Sequence, residues 1–239
     1  MLTQQLLALV SIVPVEIGEK PGLHGKVGVS LETKRGNTDK DNYKLDLRVD
    51  YDDNKSSHTW MEISGEYGES KSVKDTNKLY MHLRHIKALS SKDFCAETFI
   101  QAQDDEFKLI ERRILGGGGV RFKLFELFNA GKGYLGLGAL YENIQYTSQK
   151  PKDSDFRASS YFAYTIKLGS DSDLSYTLFY QPKISDLSDF VSSQKAALKL
   201  HIYRRLYLNF QIAYDLDNNP PDGVKKYDFT QTTSFIFDF

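Results

Sequence analysis

The chain has 239 residues and carries 31 Lys and Arg against 32 Asp and Glu, a net charge of −1, so its charge balance gives no electrostatic case for nucleic acid. A mean hydropathy of −0.46 excludes a bundle of transmembrane helices, each of which needs about 18 or more consecutive apolar residues. The one cysteine, Cys95, rules out an intramolecular disulfide and a multi-cysteine metal centre.

At the N-terminus, Leu6 to Val15 has the length of a secretory apolar region, yet Met1 to Gln5 carries no Lys or Arg and no small-x-small cleavage site follows. Residues 1–22 are therefore either a poor signal peptide or a periplasmic, plug-like segment, and are too short in their apolar run to span a bilayer as a helix.

From Leu23 onward the pattern has a period of two. Leu23, Val27, Val29 and Leu31 alternate with His24, Lys26, Ser30 and Glu32; after the turn-rich Gly36 to Asn42, Tyr43, Leu45, Leu47, Val49 and Tyr51 alternate with Lys44, Asp46, Arg48, Asp50 and Asp52. Tyr43 and Tyr51 are about 26 Å apart along a strand at ~3.3 Å per residue. With a tilt near ~40° that becomes about 20 Å of height, close to the ~25 Å apolar band of an outer-membrane barrel. The same alternation predicts strands near Thr59 to Gly68, Lys78 to Ala88, Phe94 to Asp104, Glu111 to Leu124, Tyr134 to Tyr146, Phe156 to Leu168, Leu174 to Lys183, Gln194 to Tyr203, Leu206 to Asp215 and Lys225 to Phe239. Connections at Gly169 to Asp173 and Arg204-Arg205 read as tight, those at Ser148 to Asp155, Ile184 to Ser192 and Asp217 to Gly223 as longer and polar.

In the final segment Tyr227, Phe229, Phe235, Phe237 and Phe239 share one face and Asp228, Thr230, Thr232, Ser234 and Asp238 the other. The first set suits lipid and the second a polar lumen. The predicted fold is thus all-β: an antiparallel transmembrane barrel of about twelve strands over residues 23–239, with short periplasmic turns, longer external loops, both termini in the periplasm, and a location in the outer membrane. Several strands of ten or more residues argue against a soluble sandwich, where about 5–6 is usual.

An opening strand followed by Gly36-Asn37-Thr38-Asp39, the run Arg112-Arg113-Ile114-Leu115-Gly116-Gly117-Gly118-Gly119-Val120-Arg121, the strand Gly133 to Glu142 and the terminal Phe239 together resemble the salt-induced outer-membrane proteins grouped as domain of unknown function 481. The resemblance covers the chain from about Leu23 onward. It implies a Gram-negative outer-membrane barrel with no established reaction, and so no catalytic residue to carry over. The aromatic C-terminal face also resembles the signal by which barrel precursors are recognised for insertion. The partners this implies are outer-membrane lipids, lipopolysaccharide and the barrel-assembly machinery, and deletion of Phe239 is expected to lower membrane yield more than folded stability.

Four successive glycines at 116–119 are not followed by Gly-Lys-Ser/Thr or by a helix signal, so a phosphate-binding loop is rejected. They read instead as room for bulky neighbours or as a bend in a strand, with Gly136 and Gly138 sharing that job. Asn37, Asp39 and Asp41 imitate the start of a calcium loop, but Asn42 stands at the sixth position and Arg48 at the twelfth, so the loop is a polar turn. His82 and His85 fall on opposite faces of a strand and do not share a metal. No Gly-x-Ser-x-Gly is present, so no catalytic residue, metal site or cofactor is assigned.

The inward-facing charges are the most suggestive constellation. Asp46, Asp50, Glu62 and Glu66 form an acidic wall; Arg113, Arg121, Lys123, Arg157, Lys167 and Lys199 form a basic one. Such walls either select ions, with anions preferred beside the basic side, or pair off to avoid desolvation; a barrel of this size, between filled eight-stranded and open sixteen-stranded forms, favours pairing. Two functions stay open, a narrow channel for small solutes or ions and a closed structural or envelope-stress barrel acting through its loops, with a lipid-modifying enzyme as a weaker third.

Overall fold

The computed structural model describes residues 15–34, 40–127, 131–147, 153–169 and 171–239; the Asn37 and Asp39 turn lies outside them. Twelve antiparallel strands close on themselves, each hydrogen-bonded to its sequence neighbours and β1 to β12. They are β1 (Gly22–Lys34), β2 (Lys40–Asp52), β3 (Ser57–Ser70), β4 (Val73–Ser91), β5 (Phe94–Asp105), β6 (Ile110–Leu127), β7 (Gly131–Tyr146), β8 (Asp153–Lys167), β9 (Asp173–Lys183), β10 (Asp186–Tyr203), β11 (Leu206–Asp217) and β12 (Tyr227–Asp238). The even count brings β1's start and β12's end to one rim, the one expected to be periplasmic.

Alternation sets the two surfaces. Leu23, Leu31, Tyr43, Leu45, Tyr51, Ile100, Leu137, Phe156, Phe210 and Ile212 all stand on the outer face and are exposed, whereas Asp50, Trp60, His82, Arg84, Gln101 and Arg121 point inward and are buried. A protein in water would not present such a continuous apolar exterior. In a bilayer it is required, and closure leaves few backbone groups in hydrocarbon without a partner. The aromatic set at the C-terminus takes its expected place: Tyr227, Phe229, Phe235, Phe237 and Phe239 are all exposed on the lipid side.

Two connections differ from expectation. The stretch Ile184 to Ser192, expected as a long external loop, is a two-residue turn after which β10 begins at Asp186 and bulges before Phe190. Asp186 accepts hydrogen bonds from the Ser188 amide and hydroxyl at 3.0 and 2.6 Å, so polar residues that read as loop serve the solvated tip of a strand. Likewise β4 starts five residues earlier than its apolar pattern, at Val73, because Lys71 and Ser72, with φ of 50° and 59°, form the tight two-residue turn a hairpin needs.

Glycines let β6 and β7 approach closely. A Cβ on Gly119 would lie 2.3 Å from the Leu137 carbonyl, and one on Gly138 2.3 Å from that of Gly118. The inward-facing Gly136 makes room for the Tyr161 ring, 1.9 Å from where its Cβ would be. The glycine run is thus structural, as its sequence context indicated.

Candidate functional site: the barrel lumen

Three layers fill the lumen. At the periplasmic mouth the segment Val15–Lys20, which belongs to no strand, is tied to the wall. The Val15 carbonyl accepts from Arg121 Nη1 at 2.8 Å, Glu16 pairs with Lys123 at 3.1 Å and with Lys132, the Gly18 amide donates to Asp52 Oδ2 at 2.6 Å, and Glu19 reaches Lys167 at 3.1 Å. Gly18 turns with φ of 87°, a backbone that L side chains rarely adopt. Ile17, only 2% exposed, inserts into a cluster with Trp60, Ile86, Cys95, Leu115, Leu140 and Phe179. Burial alone would raise the Glu16 carboxyl, but the Lys132 and Lys123 ammonium groups outweigh it and hold the acid below the usual carboxylate range.

Above Ile17 lies a layer of arginines and aromatics. Arg84 stacks on Phe99 at 4.8 Å and pairs with Glu97 at 3.1 Å. Glu97 accepts from the Tyr161 hydroxyl at 2.8 Å and faces Arg121 at 3.5 Å. Arg48 bridges Asp50 and Glu62, both at 2.6 Å, and lies over Trp60 at 4.9 Å. The third, extracellular layer divides. On the β6–β10 side Glu142 sits between Arg113 and Arg157, the latter at 2.8 Å and also 3.0 Å from Asp189. On the other side, between β1–β5 and β10–β12, a cavity of about 430 Å³ opens.

The predicted site residues are distributed as follows. Asp50, Glu62, Arg113, Arg121 and Arg157 face inward and take part in the ion pairs just given. Asp46 pairs with Lys44 at 2.9 Å, Glu66 with Lys78 at 2.8 Å and Lys199 with Asp238 at 3.2 Å. Lys123 and Lys167 hold the N-terminal segment at the mouth, and Lys167 is half exposed there. The acidic and basic walls are therefore not free fields: each charge meets its opposite on its own strand, on a nearby strand or on the inserted segment. Sequence reasoning passed over Arg84, Glu97, Lys195 and Asp215. Strand parity was the available signal, since Arg84 shares its inward parity with His82, and Asp215 with Gln211.

A closed, apolar-coated barrel of twelve strands, polar inside, defines an outer-membrane β-barrel, and the chain occupies the outer membrane. More narrowly, the family described as protein of unknown function, DUF481, matches residues 27–239, and the chain belongs to it. Among solved structures it is similar to the COG4313 outer membrane channel from Pseudomonas putida F1, at 13% identity and a TM-score of 0.61, covering 96% of this chain and 100% of that one. It is also similar to the translocator domain of the autotransporter NalP from Neisseria meningitidis, at 7% identity and a TM-score of 0.53, covering 91% and 88%. At these identities the likeness concerns the fold. A search of curated proteins finds no match.

Proposed function

We propose that the protein is a gated outer-membrane channel for small polar solutes, shut by its own N-terminal segment. The observation that carries this reading is the composition of the periplasmic closure. Its lowest layer, Val15–Lys20, is not barrel wall and is held by a few hydrogen bonds, ion pairs and one buried side chain, Ile17, so it can leave without unfolding a strand. Likeness to a barrel described as an outer membrane channel adds support at the level of the fold. Selectivity by charge is weak in this reading. Three lysines, Lys44, Lys78 and Lys195, and three acids, Glu66, Asp104 and Asp215, line the large cavity, and the basic residues expected to favour anions are neutralised by partners.

A second reading, the closed structural barrel, is favoured by the packed layer of Trp60, Arg84, Phe99 and Tyr161 above Ile17, which must also rearrange before anything passes. Planar-bilayer recordings separate the two. The wild type is expected to give rare, brief steps and Ile17→Asp long-lived ones, because a carboxylate is costly in that apolar cluster. If both variants insert and neither gives steps, the channel reading falls and the structural barrel stands.

A further inference from the structure

The twelve-stranded wall is not equally closed all round. Pairing of β1 with β12 runs only from Lys26–Asp238 to Val29–Phe235, extended by the reciprocal bonds between Gly25 and Phe239 at 2.8 Å. Beyond Val29, Ser30 and Leu31 continue β1 and Thr230 to Ser234 continue β12 with, among the described residues, pairing on the β2 and β11 sides alone. Phe229 and Phe235 bracket most of this stretch. They are about 20 Å apart along the strand at ~3.3 Å per residue, or some ~15 Å of height at a tilt near ~40°, so the open edge lies at bilayer depth.

An open sheet edge in hydrocarbon leaves alternate N–H and C=O groups unpaired, at several kcal/mol each, and is tolerated only where it borders a water-filled or polar space. Such a space adjoins the seam. The cavity of about 430 Å³ is lined by Ser30 and Leu31 of β1 and by Thr230, Gln231, Thr232 and Thr233 of β12, among which Leu31, Gln231 and Thr233 have lipid-facing parity. The outer face of β12 carries the same signature: between Phe229 and Phe235 its two outward residues are Gln231 and Thr233, polar where the positions above and below are aromatic. Inside, Asn42, Gln103 and Asp215 add polar side chains to the cavity lining.

From these observations we infer that the β1–β12 seam is a lateral portal, and that the cavity takes the polar head of a membrane amphiphile whose aliphatic tail passes between Leu31 and Thr233 into the bilayer. The cavity volume lies within the ~300–1,000 Å³ range of small-molecule sites. Its three lysines are balanced by three acids, and the rest of its lining is hydroxyl and amide apart from Leu31, Leu79 and Ala213. The head that fits is uncharged or zwitterionic and rich in hydrogen-bonding groups. The portal is independent of whether the axial path conducts, because it is formed by the seam and not by the N-terminal segment.

Tryptophan quenching in vesicles containing phosphatidylcholine with dibrominated acyl chains tests this. The native Trp60, buried away from the cavity, sets the baseline. Gln211→Trp, inward beside Thr232, is expected to add emission quenched at least half as strongly as that added by the lipid-facing Ile212→Trp. Closing the seam with Leu31→Cys and Thr233→Cys, which continue the register of Val29–Phe235, in a Cys95→Ala background, is expected to return that quenching to the Trp60 baseline. No quenching above baseline in Gln211→Trp, with or without a staple that forms, overturns the portal, as does quenching that survives the staple. Equal or stronger quenching by dibrominated phosphatidylglycerol at the same mole fraction overturns the assignment of the head.

Discussion

Glu142→Gln discriminates a packed extracellular layer from a wet one. Glu142 faces both Arg113 and Arg157, and the three side chains are 6%, 3% and 8% exposed. Arg157 keeps Asp189 at 3.0 Å and the Gln181 carbonyl at 3.2 Å, whereas among the described ion pairs Arg113 has Glu142 alone. Removing one partner of a buried pair leaves an uncompensated charge, at about 3–5 kcal/mol. At ~1.4 kcal/mol per decade the folding equilibrium constant then falls roughly 10²- to 10³·⁵-fold. The same change at an exposed pair costs only ~0–1 kcal/mol. Urea unfolding in phosphatidylcholine vesicles, followed by Trp60 emission, measures the difference. Asp189→Asn is expected to cost less, about 1–3 kcal/mol, because Arg157 retains Glu142, and joint replacement Arg113→Met with Glu142→Leu should recover most of the loss. A Glu142→Gln cost below about 1 kcal/mol, the value of an exposed pair, would mean that water already solvates Arg113 and would refute the packed layer.

Acid should loosen the N-terminal segment. The Glu16 carboxyl is lowered from its ordinary value of 4.5 when the segment is docked, so its contribution to docking is complete above that value and is lost as pH falls through the lowered one; open probability should stay flat above 4.5 and rise only below it, and Glu16→Gln should abolish the rise. Gly136→Ala forces a methyl against the Tyr161 ring, which its 2.8 Å bond to Glu97 holds in place, and is expected to cost ~1–3 kcal/mol in vesicle unfolding, whereas Gly65→Ala meets no atom within 4 Å and should change stability by no more than about 0.5 kcal/mol. On intact cells, tags at Ser72 or Pro221 should be labelled and one at Arg204 should not; labelling at Arg204 would invert the orientation.

The strands and their two faces were legible because a period of two is a local property: Tyr43 to Tyr51 and Tyr227 to Phe239 declare their lipid side without reference to any other segment. What an inward charge meets is not local. Glu142 lies opposite Leu115, and reaches Arg113 only as a diagonal neighbour across the β6–β7 register. A slip of one residue would have turned it to lipid, yet nothing within either strand states that register. Hence acidic and basic walls, and a preference for their pairing, could be read from the sequence, while the partner of each charge could not. The docked segment was illegible for a related reason. Glu16, Ile17 and Gly18 show no periodicity, and their partners Lys132, Trp60 and Asp52 come from three separate strands.

The terminal phenylalanine was legible as an aromatic end and as an expected insertion signal, but its covalent position hid a second role. Phe239 donates its amide to the Gly25 carbonyl and accepts from the Gly25 amide, both at 2.8 Å, while its ring covers the side of Gly25, where a Cβ would lie 2.2 Å away. With only four registered pairs from Lys26 to Val29 beside it, this contact is a large share of what joins the first strand to the last. Deleting Phe239 removes two backbone bonds worth about 0.5–1.5 kcal/mol each, at the seam where the barrel has least to spare. The deletion should therefore lower folded stability by ~1–3 kcal/mol as well as membrane yield. Refolding the deleted chain directly into vesicles bypasses assembly and isolates this effect: a urea midpoint equal to the wild type would show that the short seam closes without Phe239, and would leave insertion as its whole contribution.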